Sequence, residues 1–206
     1  MRWRILILAL WTCTAFGGGL DSHVPTQKLL ARKPIHLTGS GRVAIPFADA
    51  VHILGRKDML TAIQRSYAAL LPEGEVPEFT IQQTAPGIYH YVNCKGLETE
   101  IEEVLIEAVS GERVNVVLYS EGRRFFGNYQ SLCQIEVVPA GEGQVDYTVS
   151  VYAHPESTAV RLFARLTPVE LFFRHKLKAM TGLVIDVCNQ IKTSEPKEEN
   201  HVVSSF

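Results

Sequence analysis

Residues that commonly perform covalent catalysis do not form a recognisable motif in this sequence. A nucleophilic serine often lies in a Gly-x-Ser-x-Gly elbow between a strand and a helix, and the Gly-Ser-Gly segment at residues 39–41 does not have that pattern. A nucleophilic cysteine needs a histidine partner, and a pair such as Cys188 with His154 or His175 depends on the fold to bring it together. The sequence therefore predicts no catalytic residue.

Potential metal ligands are scattered as well. The seven histidines include no pair at the spacing that places two ligands on one helix face, and no two cysteines have the spacing of a zinc site. The acidic stretch from Thr99 to Val109 lacks the pattern of a calcium loop and is most simply a solvated face. Glycine-rich phosphate-binding loops of the common types are also missing from the sequence, so no metal or nucleotide cofactor is predicted.

Five arginines could converge on a carboxylate or phosphate group of a ligand. Arg161, Arg165 and Arg174 lie near the start of the last predicted helix, and Arg123 and Arg124 lie in a predicted hairpin. Solvent-exposed arginines explain the same pattern equally well. Across the whole chain, 20 Lys and Arg residues nearly balance 22 Asp and Glu residues. Charge alone therefore predicts neither a nucleic acid nor an anionic lipid surface as a partner.

The first 17 residues have the features of a secretory signal peptide. Residues 1–4 (Met-Arg-Trp-Arg) are positively charged, and the apolar residues 5–11 are too few to span a bilayer. Ala15 and Gly17 supply the small residues of a cleavage site, which we place after Gly17. The mature chain is therefore expected to be secreted or periplasmic and to contain no transmembrane span.

The cysteines leave several readings open. Acylation at Cys13, as in a bacterial lipoprotein, is an alternative to the signal peptide above, but the two residues before Cys13 are not small. Otherwise Cys94, Cys133 and Cys188 remain, an odd number in a compartment where disulfides form, so at least one thiol stays free. A bridge between Cys94 and Cys133 is one option. Burial of all three as small hydrophobic residues is favoured.

Composition and turn residues divide the chain into four parts. With 46% hydrophobic and 20% charged residues, the chain is expected to bury one core. We predict a signal peptide at residues 1–17, a linker at 18–33, a single α+β domain at 34–191 and a flexible polar tail at 192–206.

The domain is predicted to begin with a strand and two short helices. Apolar and polar residues alternate from Ile35 to Ile45 on both sides of the Gly-Ser-Gly segment, which predicts a strand that is kinked or bulged there. Helical spacing follows from Phe47 to Leu71, and Gly55 divides it into two helices.

Beyond Pro77 the pattern changes to strands joined by short turns that contain glycine. It predicts an antiparallel meander with strands at residues 79–83, 87–94, 99–109, 113–119, 124–138 and 144–153. The stretch 99–109 also suits an amphipathic helix, and a strand is favoured. Residues 167–191 have apolar positions three or four apart and predict the longest helix of the chain.

This order of elements resembles the helix-grip fold of the START and polyketide-cyclase-like superfamily (SRPBCC). The resemblance spans Pro34 to Ile191 and is carried by the strand-to-helix entry at residues 41–51, the Gly122 to Ala153 hairpin and the Val169 to Ile191 helix. It implies a curved antiparallel sheet wrapped around a long C-terminal helix, with two short helices after the first strand. The superfamily has no invariant catalytic motif and many of its members are intracellular, so the resemblance transfers neither an active residue nor a location.

A sheet that grips a helix leaves a cavity lined by apolar side chains, and such cavities bind apolar ligands. Together with the predicted signal peptide, the resemblance therefore implies an exported protein that holds a hydrophobic small molecule or lipid without covalent chemistry. An exported protein–protein interaction module and a cyclase-type or hydrolase-type enzyme that uses the same cavity are the alternatives. Five side chains on the facing surfaces of sheet and helix are the ligand-binding candidates, with ordinary core packing as the alternative for each: Tyr129, Tyr147, Phe173, Leu177 and Met180.

Overall fold

The computed structural model describes residues 22–109, 111–124, 127–166 and 169–194. The predicted signal peptide and all but the first three residues of the predicted tail lie outside this part of the chain. Residues 192–194 belong to the C-terminal helix, so the predicted start of the tail is wrong for these three residues. Export and the flexibility of the rest of the tail stay predictions.

The strands of the described chain form a single antiparallel sheet. They are β1 Ile35–Val43, β2 Phe79–Ala85, β3 Ile88–Asn93, β4 Glu98–Val109, β5 Arg113–Arg124, β6 Gly127–Pro139 and β7 Val145–Pro155. Their order across the sheet is β1-β7-β6-β5-β4-β3-β2. Strands β2 to β7 thus follow one another as the predicted antiparallel meander, and β1 pairs with β7.

The helices of the described chain are α1 Val24–Ala31, α2 Phe47–Leu54, α3 Met59–Ala69, α4 Thr158–Leu166 and α5 Val169–Ser194. The two short helices divided near Gly55 and the long C-terminal helix agree with the sequence prediction. Helix α5 packs on β1, α2 and α3. The result is the predicted α+β class, a curved antiparallel sheet with a long helix against it, as in a helix-grip fold.

The main hydrophobic core lies on the sheet face that carries α2, α3 and α5, called the concave face below. Residues directly opposite each other on antiparallel strands point to the same face, so valines from β1, β5, β6 and β7 meet there. Helices α2, α3 and α5 close over one end of this face. The buried members of the core include Val43, Val114, Val137, Val145, Ile53, Met59, Val187 and Ile191.

The predicted linker is wrong for its second half, which forms helix α1. Nδ1 of His23 caps the helix by accepting a hydrogen bond from the Thr26 backbone N–H, at 3.4 Å. Leu29 is fully buried on the convex face of the sheet. The buried residues that surround Leu29 are Val117, Tyr119 and Leu132, and Leu30 is half-buried against the same cluster.

Strand β1 is continuous through the Gly-Ser-Gly segment, so the predicted kink or bulge is wrong. Its pairing with β7 keeps one register along the whole strand. The glycines instead make room on the concave face. A Cβ atom at Gly39 would lie 2.5 Å from Cδ2 of Leu177, and one at Gly41 would lie 2.6 Å from the hydroxyl oxygen of Tyr147. Glycine in this strand therefore reflects close packing rather than a break.

Two further segments bear on the sequence analysis. The stretch that also suited a helix is strand β4, and its register with β5 shifts between Glu103 and Leu105, as in a β-bulge. Helix α4 has no counterpart among the predicted elements. None of the helices in the described ranges is long and apolar enough to cross a membrane.

Candidate functional site

The concave face is closely packed at one end and open at the other. Helices α2 and α5 cover the end near Val114 and Val145. Toward the other end, the side chains of β5, β6 and β7 on this face are only half-buried. We call this surface the groove. Its floor is formed by Leu118, Ser120, Ser131, Cys133, Val149, Val151 and Ala153.

The first half of helix α5 forms the wall of the groove at β1. It crosses the strand at Gly39, where Leu177 and Phe173 pack against the strand backbone. Both side chains are half-buried. Because their partner is a glycine, the helix lies close to β1. Strand β1 is at the edge of the sheet, so the helix leaves the floor between β5 and β7 accessible.

An aromatic and cationic cluster lies at the open end of the groove, where β5 ends and β6 begins. The guanidinium carbon of Arg124 lies 4.7 Å from the centre of the Tyr91 ring and 5.7 Å from the centre of the Tyr129 ring. Both distances lie within the range of cation–π attraction. The Tyr129 hydroxyl is 3.0 Å from Oγ1 of Thr99. Two rings, one of them fixed by a hydroxyl contact, therefore hold the arginine in place.

Arg124 has no carboxylate partner among the residues that the structure describes. Its side chain is half-buried, and a guanidinium presents five N–H donors in a planar fork. The next residue back along the strand, Arg123, points to the opposite face of the sheet. A cavity of about 450 Å³ opens beside Arg124 and is lined by Gly96, Leu97, Glu98, Arg123 and Arg124.

Convergence on one ligand group is one of two open interpretations of the five arginines, and the four whose side chains the structure describes do not converge. Arg161 donates hydrogen bonds to the carbonyl oxygens of residues 155 and 156, at 2.7 and 2.9 Å, and so closes the turn between β7 and α4. Arg174 is exposed on α5, and the side chain of Arg165 lies outside the described residues. Arg123 and Arg124 occupy opposite faces of β5. Arg124 is the member of this set that lies at the groove.

The two hydroxyl groups of the groove floor are hydrogen-bonded to each other. The hydroxyl oxygens of Ser120 and Ser131 are 2.7 Å apart on neighbouring strands. Burial raises the pKa of the Cys133 thiol to about 11, so this thiol stays protonated at neutral pH. A protonated thiol and a mutually bonded hydroxyl pair are poor nucleophiles. The floor is therefore suited to contact with a ligand rather than to attack on it.

The three cysteines of the described chain are free. The bridge considered between Cys94 and Cys133 is not formed. Cys188 is buried in the main core and Cys133 is half-buried in the groove floor, but Cys94 is exposed. The prediction that all three are buried is therefore wrong for Cys94, because it follows the last residue of β3 and lies in the turn before β4.

A buried tyrosine and a carboxylate form a titratable pair near the start of α3. The hydroxyl of fully buried Tyr89 donates to Oε1 of Glu103 at 2.7 Å and lies 3.2 Å from the carbonyl oxygen of Lys57. Burial and the adjacent carboxylate raise the pKa of Tyr89. The phenol therefore stays protonated and joins β3, β4 and the loop before α3. The pair has the features of an anchor rather than of an acid–base centre.

A second cleft, of about 490 Å³, opens mainly on the convex side of β3 to β6. Carboxylates dominate its lining, which does not suit an apolar ligand. No group of three potential metal ligands occurs among the described residues. The side chains that line this cleft include His90, Glu98, Glu100, Glu121, Arg123 and Glu156.

The five predicted ligand-binding residues have different places in the structure. Tyr129 belongs to the aromatic cluster at the end of the groove, and Phe173 and Leu177 form its wall. Tyr147 packs against the main core at the closed end of the concave face. The side chain of Met180 lies outside the described residues. Contact of any of the five with a ligand stays a prediction.

Sequence reasoning named Tyr129 but missed Tyr91, the other aromatic neighbour of Arg124. Phe79 on β2 stacks on Tyr91, with ring centres 5.3 Å apart, and also on Tyr67 of α3, at 5.7 Å. The alternation of side chains within β2 and β3 allows both Phe79 and Tyr91 to face the concave side. Their meeting with Arg124 depends on the register of β2 to β6, which the sequence pattern does not specify.

The sequence matches no protein-family profile and no curated protein. Among solved structures it is similar to a conserved protein from Geobacillus kaustophilus, with a TM-score of 0.48 and 11% identity over 78% of this chain and 97% of that chain. It is also similar to norcoclaurine synthase from Thalictrum flavum in complex with dopamine and hydroxybenzaldehyde, with a TM-score of 0.47 and 12% identity over 79% of this chain and 89% of that chain. These similarities are too weak to carry an argument about function. The assignment of fold class rests on strand order and helix placement.

Proposed function

We propose that the protein is an exported binding protein that holds a hydrophobic small molecule or lipid in the groove and performs no covalent chemistry on it. The ligand is amphipathic, with an apolar body and an anionic head. The observation that carries this proposal is the position of Arg124, half-buried between two tyrosine rings at the end of a half-exposed apolar floor.

The apolar body of the ligand would lie on the groove floor and against the wall formed by Phe173 and Leu177. Leu118, Val149 and Val151 are only half-buried without a ligand. Covering on the order of 200 Å² of such apolar surface favours binding by about 5 kcal/mol before the costs of association are subtracted. This contribution is not directional, so it selects for apolar bulk rather than for one compound.

The anionic head would bind Arg124. A guanidinium pairs with a carboxylate or phosphate through two parallel hydrogen bonds, and a hydrogen bond to a charged group contributes about 1.5–3 kcal/mol. The rings of Tyr91 and Tyr129 already restrict the arginine. Less side-chain entropy is therefore lost when the head binds than for a freely rotating arginine.

Export is the second part of the proposal. Its support is the sequence of residues 1–17, which has the charged start, apolar centre and small-residue cleavage site of a signal peptide. Protein recovered from the exported fraction of producing cells would then have a mass that corresponds to a chain beginning at Gly18. A mass that corresponds to lipid attached at Cys13 would replace this proposal by the lipoprotein alternative, and an uncleaved chain in the cytosol would contradict both.

Ligand binding can be tested with a fluorescent fatty acid and its methyl ester as probes. Arg124→Gln removes the charge at the groove and should weaken binding of the fatty acid by about 10-fold to 100-fold, which corresponds to about 1.5–3 kcal/mol. The ester should bind the original protein and the Arg124→Gln variant equally. Lys28→Gln is the matched control, because it removes one positive charge from an exposed position of α1, on the convex side of the sheet and outside the cavity beside Arg124.

The outcomes of this titration separate the parts of the proposal. Equal loss of affinity in the Lys28→Gln and Arg124→Gln variants would mean that the probe responds to net charge and not to the groove. No binding of either probe, with no extra mass released on denaturation of the purified protein, would contradict ligand binding in the groove altogether.

A further inference from the structure

Among the described residues, four large apolar side chains on α4 and the first half of α5 face solvent. Leu162 and Phe163 of α4 are 60% and 67% exposed, and Leu171 and Phe172 of α5 are 70% and 63% exposed. Single exposed apolar residues are ordinary, but a concentration of them on one part of a surface marks an interaction site. These four lie on two consecutive helices that both pack toward β1.

The packed and exposed residues of α5 lie on different sides of the helix. Phe173 and Leu177 are half-buried and contact β1 at Gly39. Leu171 is two residues from Phe173 and therefore points about 200° away around the helix axis. The apolar exposure of Leu171 is thus not a continuation of the groove wall. It belongs to a separate, outward surface.

Positive charge accompanies these apolar residues. Residues 157–182 contain five Lys and Arg residues and one Glu, although the whole chain has a net charge of −2. Arg174, Lys176 and Lys178 are exposed on the first half of α5. Nζ of Lys176 lies 5.8 Å from the centre of the Phe172 ring. The near balance of charge over the chain therefore conceals a basic, apolar segment.

We propose that α4 and the first half of α5 form a docking face for the surface of an anionic lipid membrane. Exposed Leu and Phe residues beside Lys and Arg are the combination with which helices bind in the plane of a membrane interface. Anionic headgroups attract the basic residues, and the apolar side chains enter the boundary below the headgroups. A second copy of this chain fits the face less well, because two identical positive surfaces would repel each other.

The docking face can be tested by flotation of the protein, as processed by the cell, with phosphatidylcholine vesicles that contain or lack phosphatidylglycerol. Lys176→Gln/Lys178→Gln should weaken binding to the anionic vesicles by about 25-fold, from about fivefold for each basic residue. Leu171→Ser/Phe172→Ser should weaken it by more than about tenfold. High salt should release most of the bound protein.

Two control variants keep the result specific. Val76→Ser removes a side chain that is 83% exposed in the loop between α3 and β2, and Lys95→Gln removes an exposed charge after β3. Neither should change flotation. All substituted residues are exposed, so the helix content of each variant, measured by far-UV circular dichroism, should equal that of the original protein.

Three results would overturn the proposal. The first is failure of the original protein to float with anionic vesicles. The second is binding that Val76→Ser or Lys95→Gln weakens as much as the variants of α5 do. The third is a dimer in light scattering that Leu171→Ser/Phe172→Ser dissociates, since the face would then be covered by a second copy. Fatty-acid titration is independent of all three, so failure here leaves the groove proposal intact.

Discussion

Gly39 determines how closely helix α5 can approach the sheet, and Gly39→Ala tests this directly. A Cβ atom at this position would lie 2.5 Å from Cδ2 of Leu177 and 3.5 Å from Cε1 of Phe173. Carbon atoms in contact are normally about 3.5–4.0 Å apart, so the new methyl group overlaps Leu177 by about 1 Å. Either the end of Leu177 rotates away or α5 moves outward.

The expected net cost of Gly39→Ala is about 1 kcal/mol. Overpacking at a buried contact costs about 1–3 kcal/mol. Cδ2 is the flexible end of a half-buried side chain, which places the cost in the lower half of that range. Replacing glycine in a strand interior returns about 0.5–1 kcal/mol, because the unfolded chain loses freedom. The overlap should therefore exceed the gain by a small but measurable amount.

Urea unfolding of four proteins isolates the contact: the original chain, Gly39→Ala, Leu177→Ala and the double variant. Removing the Leu177 side chain removes the overlap, so the free energies of unfolding should be non-additive by at least about 1 kcal/mol. Gly182→Ala is the control, since a Cβ atom there meets nothing within 4 Å. It should stabilise the protein by up to about 1 kcal/mol. Additive effects of Gly39→Ala and Leu177→Ala would refute the close approach of α5 to β1.

Three other substitutions test contacts outside the groove. Leu29→Ala should lower the free energy of unfolding by about 2–5 kcal/mol, whereas Val24→Ala, at a position of α1 that is 58% exposed, should change it by less than about 0.5 kcal/mol; similar small values for both would mean that α1 does not dock. Tyr89→Phe removes the hydrogen bond to Glu103 and should cost about 1.5–3 kcal/mol in the same assay, and a cost near zero would show that the bond is not formed in solution. The hydrogen bond from Arg56, together with the charges of Arg56 and Arg65, lowers the pKa of Asp58. The stabilisation of the folded protein by ionised Asp58 is therefore complete above the pKa of Asp58 in the unfolded state. It is lost as the pH falls through the pKa of Asp58 in the folded state. The difference in stability between the original chain and Asp58→Asn should stay constant from about pH 7 to pH 5 and shrink below about pH 4, and a difference that grows on acidification would contradict the ion pairs.

The meander and the helices around Gly55 could be predicted because each has a strong local signal. Glycine-bearing turns separate the strands, and a turn of a few residues between two strands requires antiparallel pairing. Apolar residues three or four apart define α2, α3 and α5 without knowledge of what they pack against. Such patterns depend only on neighbours in the chain, so they survive in a single sequence.

Other features depend on distant contacts and could not be predicted. Helix α1 has only eight residues, and Leu29 becomes an anchor only because Val117 and Tyr119 face it from the convex side of the sheet. The glycines of β1 were interpreted as a break, since nothing local indicates that Leu177 lies above one of them. The place of Arg124 likewise follows from strand register, which brings the ring of Tyr91 beside it from two strands away.

Helix α5 connects the two proposed functions and also shows how to separate them. One side of its first half forms the wall of the groove through Phe173 and Leu177, and another side exposes Leu171 and Phe172. A substitution on the outer side removes no groove contact, so Leu171→Ser/Phe172→Ser should leave fatty-acid affinity unchanged. Arg124 lies on β5 and is not part of the docking face on α4 and α5. Arg124→Gln should therefore leave vesicle binding unchanged. Loss of both activities in the Leu171→Ser/Phe172→Ser variant, with reduced helix content, would show instead that the outer residues hold the wall of the groove in place.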